Sequence, residues 1–142
     1  MASLIFGPVM PVKLWVPRQV QSTVEPITTL AEVNTAYPQT FIQEGIATSL
    51  GLQPAGTIKV ATATKPAIEV YQFLIRIVFP NQAFEVMAAE IPFMLRPNAN
   101  GRIKCLIGRD ILQYGVLTYN GPANTFALEF RPLQSSGLDV RL

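Results

Sequence analysis

The stretch from Cys105 to Phe130, CLIGRDILQYGVLTYNGPANTFALEF, decides the fold. Cys105, Leu106 and Ile107 form an apolar run of the length of a buried strand. Gly108-Arg109-Asp110 then turns the chain into a helix of a turn or two running through Tyr114. Asp110 suits the start of that helix, because its carboxylate can accept from the unpaired amides of the first turn. Gly115 is expected to end it. Val116 to Tyr119 and Thr125 to Phe130 flank Asn120-Gly121, a dipeptide that tolerates positive φ at both central positions, so a hairpin follows the helix.

Upstream, short strands joined by turns are expected. Val12 to Val16 alternates apolar and polar residues, as a half-buried first strand does, and Pro17 ends it. Ile27 to Val33 reads as the next strand and delivers Asn34-Thr35-Ala36 to a loop. From Phe41 to Leu52 the spacing of Phe41, Ile42, Ile46, Leu50 and Leu52 predicts an irregular helix or turn rather than a strand, stopped by Gly51. Ile58 to Val60 and Ile68 to Phe79 flank the polar tip Thr62-Ala63-Thr64-Lys65-Pro66 as a long hairpin. Phe84 to Ile91 alternates again, and Pro92 to Gly101 reads as a loop. Trp15, Phe73, Phe79, Phe84, Phe126 and Phe130 fall within these strand patterns and read as core.

Composition narrows the function. The 142 residues make a single domain, with a core from about residue 12 to 131 and loose termini. Hydrophobic residues make up 49% of the chain and charged residues 14%, so much apolar surface needs covering, and a partner subunit is the simplest cover. The net charge of +2 arises from scattered Lys and Arg, without the basic run a nucleic acid requires. Histidine is absent, which removes the usual serine and cysteine triads and His-ligated metal sites. The single Cys105 supports neither an intrachain disulfide nor a cysteine metal cluster, and in IKCLIG it reads as a small core hydrophobe. No metal or cofactor is expected. The N-terminal stretch lacks a basic leader and is interrupted by Pro8, Pro11 and Pro17, so neither a signal peptide nor a spanning helix is expected and a cytoplasmic location is the default.

Taken in order, the first strand, Asn34-Thr35-Ala36, Leu50-Gly51-Leu52, the hairpin tipped by Thr62 to Pro66, Ile107 to Leu112 (IGRDIL), Tyr119-Asn120-Gly121 and Leu128-Glu129-Phe130 resemble the retropepsin-like aspartic peptidases, whose single lobes work as homodimers. The resemblance implies an all-β fold, a small acid-protease barrel with one short C-terminal helix. It also implies a homodimer with its active site across the twofold and a peptide or protein as ligand. No nucleic acid or membrane partner is implied. Asn34-Thr35-Ala36 stands where the family carries its catalytic Asp-Thr-Gly. That chemistry needs two carboxylates sharing one proton, one acting as base on water while the other donates to the scissile carbonyl. Asn34 keeps the shape of Asp without a titratable group, so the endopeptidase is expected to be inactive or very weak.

The remaining expectations follow from the same resemblance. Thr35 matches a threonine that braces the two loops across the dimer. Ala36 adds a methyl group where the family has glycine, with strain or a slightly opened pair of loops as the expected result. A retroviral aspartate just after the motif pairs with the arginine of the Gly-Arg turn; Tyr37-Pro38 occupies that stretch here, so Arg109 lacks its familiar partner. The only aspartates are Asp110, in the Gly108-Arg109-Asp110 turn, and Asp139, in the tail. Glu32, two residues before Asn34 and on the same strand face, is a minor candidate to stand in for the lost carboxylate. The flap-like tip Thr62 to Pro66 has no glycine, which suits either a stiffer ligand-binding flap or an ordinary exposed hairpin tip. Phe93-Met94-Leu95 reads as an apolar loop at the dimer or the cleft. A single inactivating exchange would leave Ala36 unexplained, so divergence of the motif is favoured. The alternative function is a non-catalytic peptide-binding or assembly module on the same fold.

Overall fold

Strands dominate because apolar residues recur at every second position, and β-branched and aromatic side chains fit a half-buried pleated surface. The computed structural model describes residues 8–61, 66–92 and 101–131. In chain order the elements are β1 (Val9–Trp15), β2 (Ile27–Val33), β3 (Phe41–Gln43), α1 (Ile46–Leu50), β4 (Gly56–Val60), β5 (Ile68–Phe79), β6 (Gln82–Ile91), β7 (Ile103–Ile107), α2 (Arg109–Leu112), β8 (Gly115–Asn120) and β9 (Thr125–Phe130).

Seven strands form one sheet in the order β1-β2-β7-β3-β6-β5-β4. A further antiparallel pairing, Lys13 with Val78, Leu14 with Ile77 and Trp15 with Arg76, joins β1 to β5 and closes six of them into a barrel. The expected small all-β barrel is therefore present, and β4 continues the sheet beyond the closure, paired with β5 alone. Two pairings are parallel, β2 with β7 and β3 with β6. The parallel β2–β7 pair brings the C-terminal ends of both strands to the same end of the barrel.

Side chains alternate between two apolar clusters on opposite faces of this sheet. Val12, Leu14, Ala31, Ile42, Phe73, Ile75, Ile77, Ala88, Cys105 and Ile107 fill the interior, joined by Ile46, Ala47 and Leu50 of α1 and Ile111 of α2. Full burial of each Leu or Ile among them contributes roughly 1.5–3 kcal/mol. The opposite face carries Phe41, Val70, Ala89, Ile91 and Leu106, with Ile58, Val60 and Ile68 against them.

Four expectations need correction. Phe41–Gln43 is a strand rather than a helix or turn, because its backbone is gripped between β6 and β7. The helix begins only at Ile46, after Gly45 at φ 97°, and stops at Gly51 at φ 71°, whose N–H donates to the Ala47 and Thr48 carbonyls. α2 spans only Arg109–Leu112, and Gly108, not Asp110, occupies its N-cap position. The last hairpin turns through Gly121 to Asn124, with positive φ at Asn124 (52°) rather than at Asn120-Gly121. Pro122 fixes its own φ near −65°, so the tight two-residue turn is replaced by a loop held by Asn124 N–H to Gly121 O (3.1 Å) and Ala123 N–H to Asn120 Oδ1 (3.1 Å).

β8 and β9 form a separate two-stranded sheet. Its root is fixed by rings: Phe130 lies 4.9 Å from Phe79 and 4.7 Å from Phe84, and Tyr114 stacks on Phe84 at 5.8 Å. Among the described residues no helix is long and apolar enough to cross a membrane.

Candidate functional site

β2 ends at Val33, and Asn34 enters the loop while its N–H still donates to Ile107 O of the parallel neighbour at 3.0 Å. The Asn34 Oδ1 accepts from the Ala36 N–H at 2.9 Å, closing an Asx turn over the tripeptide. An aspartate at this position would accept the same bond, so the loop shape does not depend on the carboxamide. Thr35, Ala36, Tyr37 and Pro38 are exposed. Ala36 does not adopt positive φ, so its methyl group sits on ordinary backbone.

Gly108 and Arg109 hold the loop from the other side. The Arg109 guanidinium donates through Nη1 to the Thr35 carbonyl at 2.7 Å, and its backbone N–H donates to the Tyr37 carbonyl at 2.9 Å. Arg109 thus takes a main-chain oxygen of the candidate loop as its partner. Gly108 packs directly on the same segment: a β-carbon there would overlap the Gln39 carbonyl and lie 2.9 Å from Tyr37 O. Loop and turn therefore form one unit at one end of the barrel.

Asp110 locks that unit to β3. Its Oδ1 accepts from the Thr40 hydroxyl at 2.8 Å and from the Ile111 N–H at 2.9 Å, and its Oδ2 accepts from the Thr40 N–H at 3.0 Å. The first-turn amide expected for a capping aspartate is thus one of three donors. Thr40 is fully buried, and its hydroxyl oxygen also accepts from the Gly108 N–H at 3.2 Å. Three amides and a hydroxyl are satisfied by one carboxylate and one hydroxyl, as buried polar groups require. Cys105, fully buried in β7, has its thiol pushed well above the ordinary range by burial and then by the charge of Asp110.

The outer cluster begins where the loop ends. Tyr37 meets Phe41 edge-on at 5.6 Å between ring centres, and Phe41 stands in register with Leu106. Leu106 is also in register with Glu32, which is only 4% exposed, so Glu32 lies on this same outer face and alternates with the inward Ala31 and Val33. The fragment before Asn34 thus brings a buried carboxylate onto the Phe41–Leu106 face.

Of the expected flap residues, Thr62, Ala63, Thr64 and Lys65 lie outside the described residues, as do Phe93-Met94-Leu95 and Asp139, while Pro66 is exposed beside β5. Two surface hollows lie away from the Asn34 loop. One, about 270 Å³, is lined by Pro11, Val12, Lys13, Thr28, Val78, Phe79 and Pro80. The other, about 170 Å³, is bordered by Glu44, Glu69 and Glu90. Among the described residues no group of three or more His, Cys, Asp or Glu side chains is placed to hold a metal ion.

The role of Thr40 was missed in the sequence, although a threonine in a strand-forming stretch ahead of two apolar residues is the signal that marks it. Sequence comparison adds no identity: no protein-family model matches the chain, and no curated protein matches it.

Proposed function

We propose that this chain is a retropepsin-like scaffold that acts as a homodimer, grips an extended peptide over the two Asn34 loops, and lacks aspartic endopeptidase catalysis because Asn34 replaces the catalytic carboxylate. The observation that carries this reading is the unit formed by the Asn34-Thr35-Ala36 loop and the Gly108-Arg109 turn. Parallel strands deliver both to one end of a closed six-stranded barrel, Arg109 and Gly108 hold the loop there, and Asp110 fastens the turn to Thr40. The exposed tip, Thr35 to Pro38, supports a loop that meets a second copy.

Chemistry explains the expected inactivity. A neutral carboxamide offers no base to water and no proton to a carbonyl, whatever its placement. Main-chain hydrogen bonds from an added strand would supply the affinity for a peptide held without cleavage.

The test is cleavage of a mixed peptide library from acid to neutral pH by the natural chain and by its Asn34→Asp, Ala36→Gly form. Cleavage confined to the altered form, and blocked by pepstatin, is the expected result. Absence of cleavage by both, with a peptide from the library retained by the immobilised chain, supports the binding reading; absence of both cleavage and retention overturns the proposal.

A further inference from the structure

The pair Asn120-Gly121 at the tip of the β8–β9 hairpin is not used as the tight turn its sequence suggests. Gly121 has no positive φ, and beyond its chain neighbours a β-carbon added there would meet only Tyr119 Cε2, at an ordinary 3.8 Å. Neither the backbone nor the surrounding space calls for glycine, which carries an entropic cost in a folded chain. Pro122 follows directly and restricts Gly121 to the conformations that a residue with a side chain also adopts.

What glycine changes here is reactivity. Asparagine is a thermolabile residue, and its carboxamide is attacked by the main-chain nitrogen of the next residue most readily when that residue has no β-carbon to shield it. Asn34 and Asn124 are each followed by a β-branched threonine, and Asn81 by glutamine, so among the described residues Asn120 alone precedes glycine. Asn100, of the pair Asn100-Gly101, lies outside them. Asn120 and Gly121 are both exposed, so water reaches the pair. The Ala123 N–H donates to Asn120 Oδ1 at 3.1 Å. That oxygen gains negative charge as its carbon is attacked, and a donor already in place stabilises the charge.

We propose that Asn120 is a site of spontaneous modification, at which the carboxamide becomes a carboxylate without the help of an enzyme. The Gly121 nitrogen gives its proton to solvent base and bonds to Asn120 Cγ. The Cγ–N bond of the carboxamide then breaks, and its electron pair leaves with the nitrogen, which takes up a proton and departs as ammonia. The cyclic imide left behind takes up water at either carbonyl. Opening at one restores the main chain with aspartate at position 120; opening at the other routes the main chain through the side chain as isoaspartate. Water enters, ammonia departs, and nothing is oxidised or reduced. The hairpin accommodates both products. Aspartate keeps the acceptor that holds the Ala123 N–H, and the extra main-chain atom of isoaspartate falls at the outer end of the Asn120–Thr125 pair, the last of the ladder. Either product sets a negative charge on β8, whose sequence GVLTYN carries none.

Ageing the full chain at physiological temperature tests this, with tryptic peptide mapping as the readout. Arg109 and Arg131 bound a peptide that separates Asn120 from Asn34, Asn81 and Asn100, and fragmentation distinguishes position 120 from Asn124. The folded chain is expected to gain the mass of an NH2-to-OH exchange at position 120, as two chromatographically distinct products, and to do so faster as pH rises and more of the amide nitrogen is ionised. Its rate should lie within about tenfold of the rate in the denatured chain. Gly121→Ala fits the open space and the ordinary φ, so it should slow the conversion about tenfold or more without lowering the unfolding midpoint. Conversion confined to the denatured chain would overturn the proposal, because the folded loop would then be holding carboxamide and nitrogen apart. Equal rates in the natural chain and in Gly121→Ala would overturn it as well, by removing the glycine from the reaction.

Discussion

At Gly108 the backbone of the Gly-Arg turn lies against the carbonyls of Gln39 and Tyr37, so the smallest possible side chain already overlaps main chain that cannot rotate away. Gly108→Ala is expected to lower unfolding free energy by about 1–3 kcal/mol in urea titrations; a loss below about 0.5 kcal/mol would mean that the Asn34 loop yields freely. Cys105 makes a second prediction. Its folded thiol is held protonated by burial and by Asp110, while the unfolded thiol ionises near the ordinary value of about 8.5. The folded state therefore binds more protons above that pH. Its contribution to stability is fully present below about pH 8.5 and declines above it, by up to about 1.4 kcal/mol per pH unit. Unfolding curves between pH 8 and 10 should show this slope in the natural chain and a shallower one in Cys105→Ala. Both residues were legible in the sequence, Gly108 through its turn motif and Cys105 through its apolar neighbours. The Thr35 carbonyl as the partner of Arg109 was not, because a main-chain acceptor is present at every residue and leaves no mark in residue type.

The elements read most clearly are those whose pattern is local. β2 and β5 fall within the bounds expected for them, and β8 and β9 differ from their expected bounds by at most one residue at an end. β3 was missed because a three-residue strand has no period of its own; its pairing with β6 and β7 creates it. The hairpin turn was misread because Asn-Gly was weighed without the proline that follows it. Attachment of that hairpin depends on one ring cluster, Phe79, Phe84, Tyr114 and Phe130, and Phe130 supplies two of its closest contacts. Phe130→Ala is expected to cost about 2 kcal/mol, below the value for a fully buried ring. Hydrogen exchange should then accelerate across residues 115–130 while β5 and β6 keep their protection. Equal acceleration everywhere would show that hairpin and barrel open as one unit.

The barrel as a whole is the least local feature, and only its class was legible. Alternating strands and scarce helix announce a small all-β domain, but no single stretch announces that β1 meets β5 or that β2 runs parallel to β7. The pairing of Leu14 with Ile77, both wholly buried, joins the first strand to the end of the fifth. Leu14→Ala is expected to remove about 2–5 kcal/mol by equilibrium unfolding. That same seam also governs time. The β1–β2 and β5–β6 pairs can zip from nearby turns, whereas the seam must bring distant parts of the chain together before any of its contacts reward the closure. Folding is thus expected in the millisecond-to-second range of non-local β topologies, with the shut barrel arriving late. In stopped-flow chevrons a seam that forms after the rate-limiting step places most of the Leu14→Ala loss in the unfolding arm. A chain synthesised from its N-terminus holds β1 ready, unpaired on one side, until the ribosome has released β5.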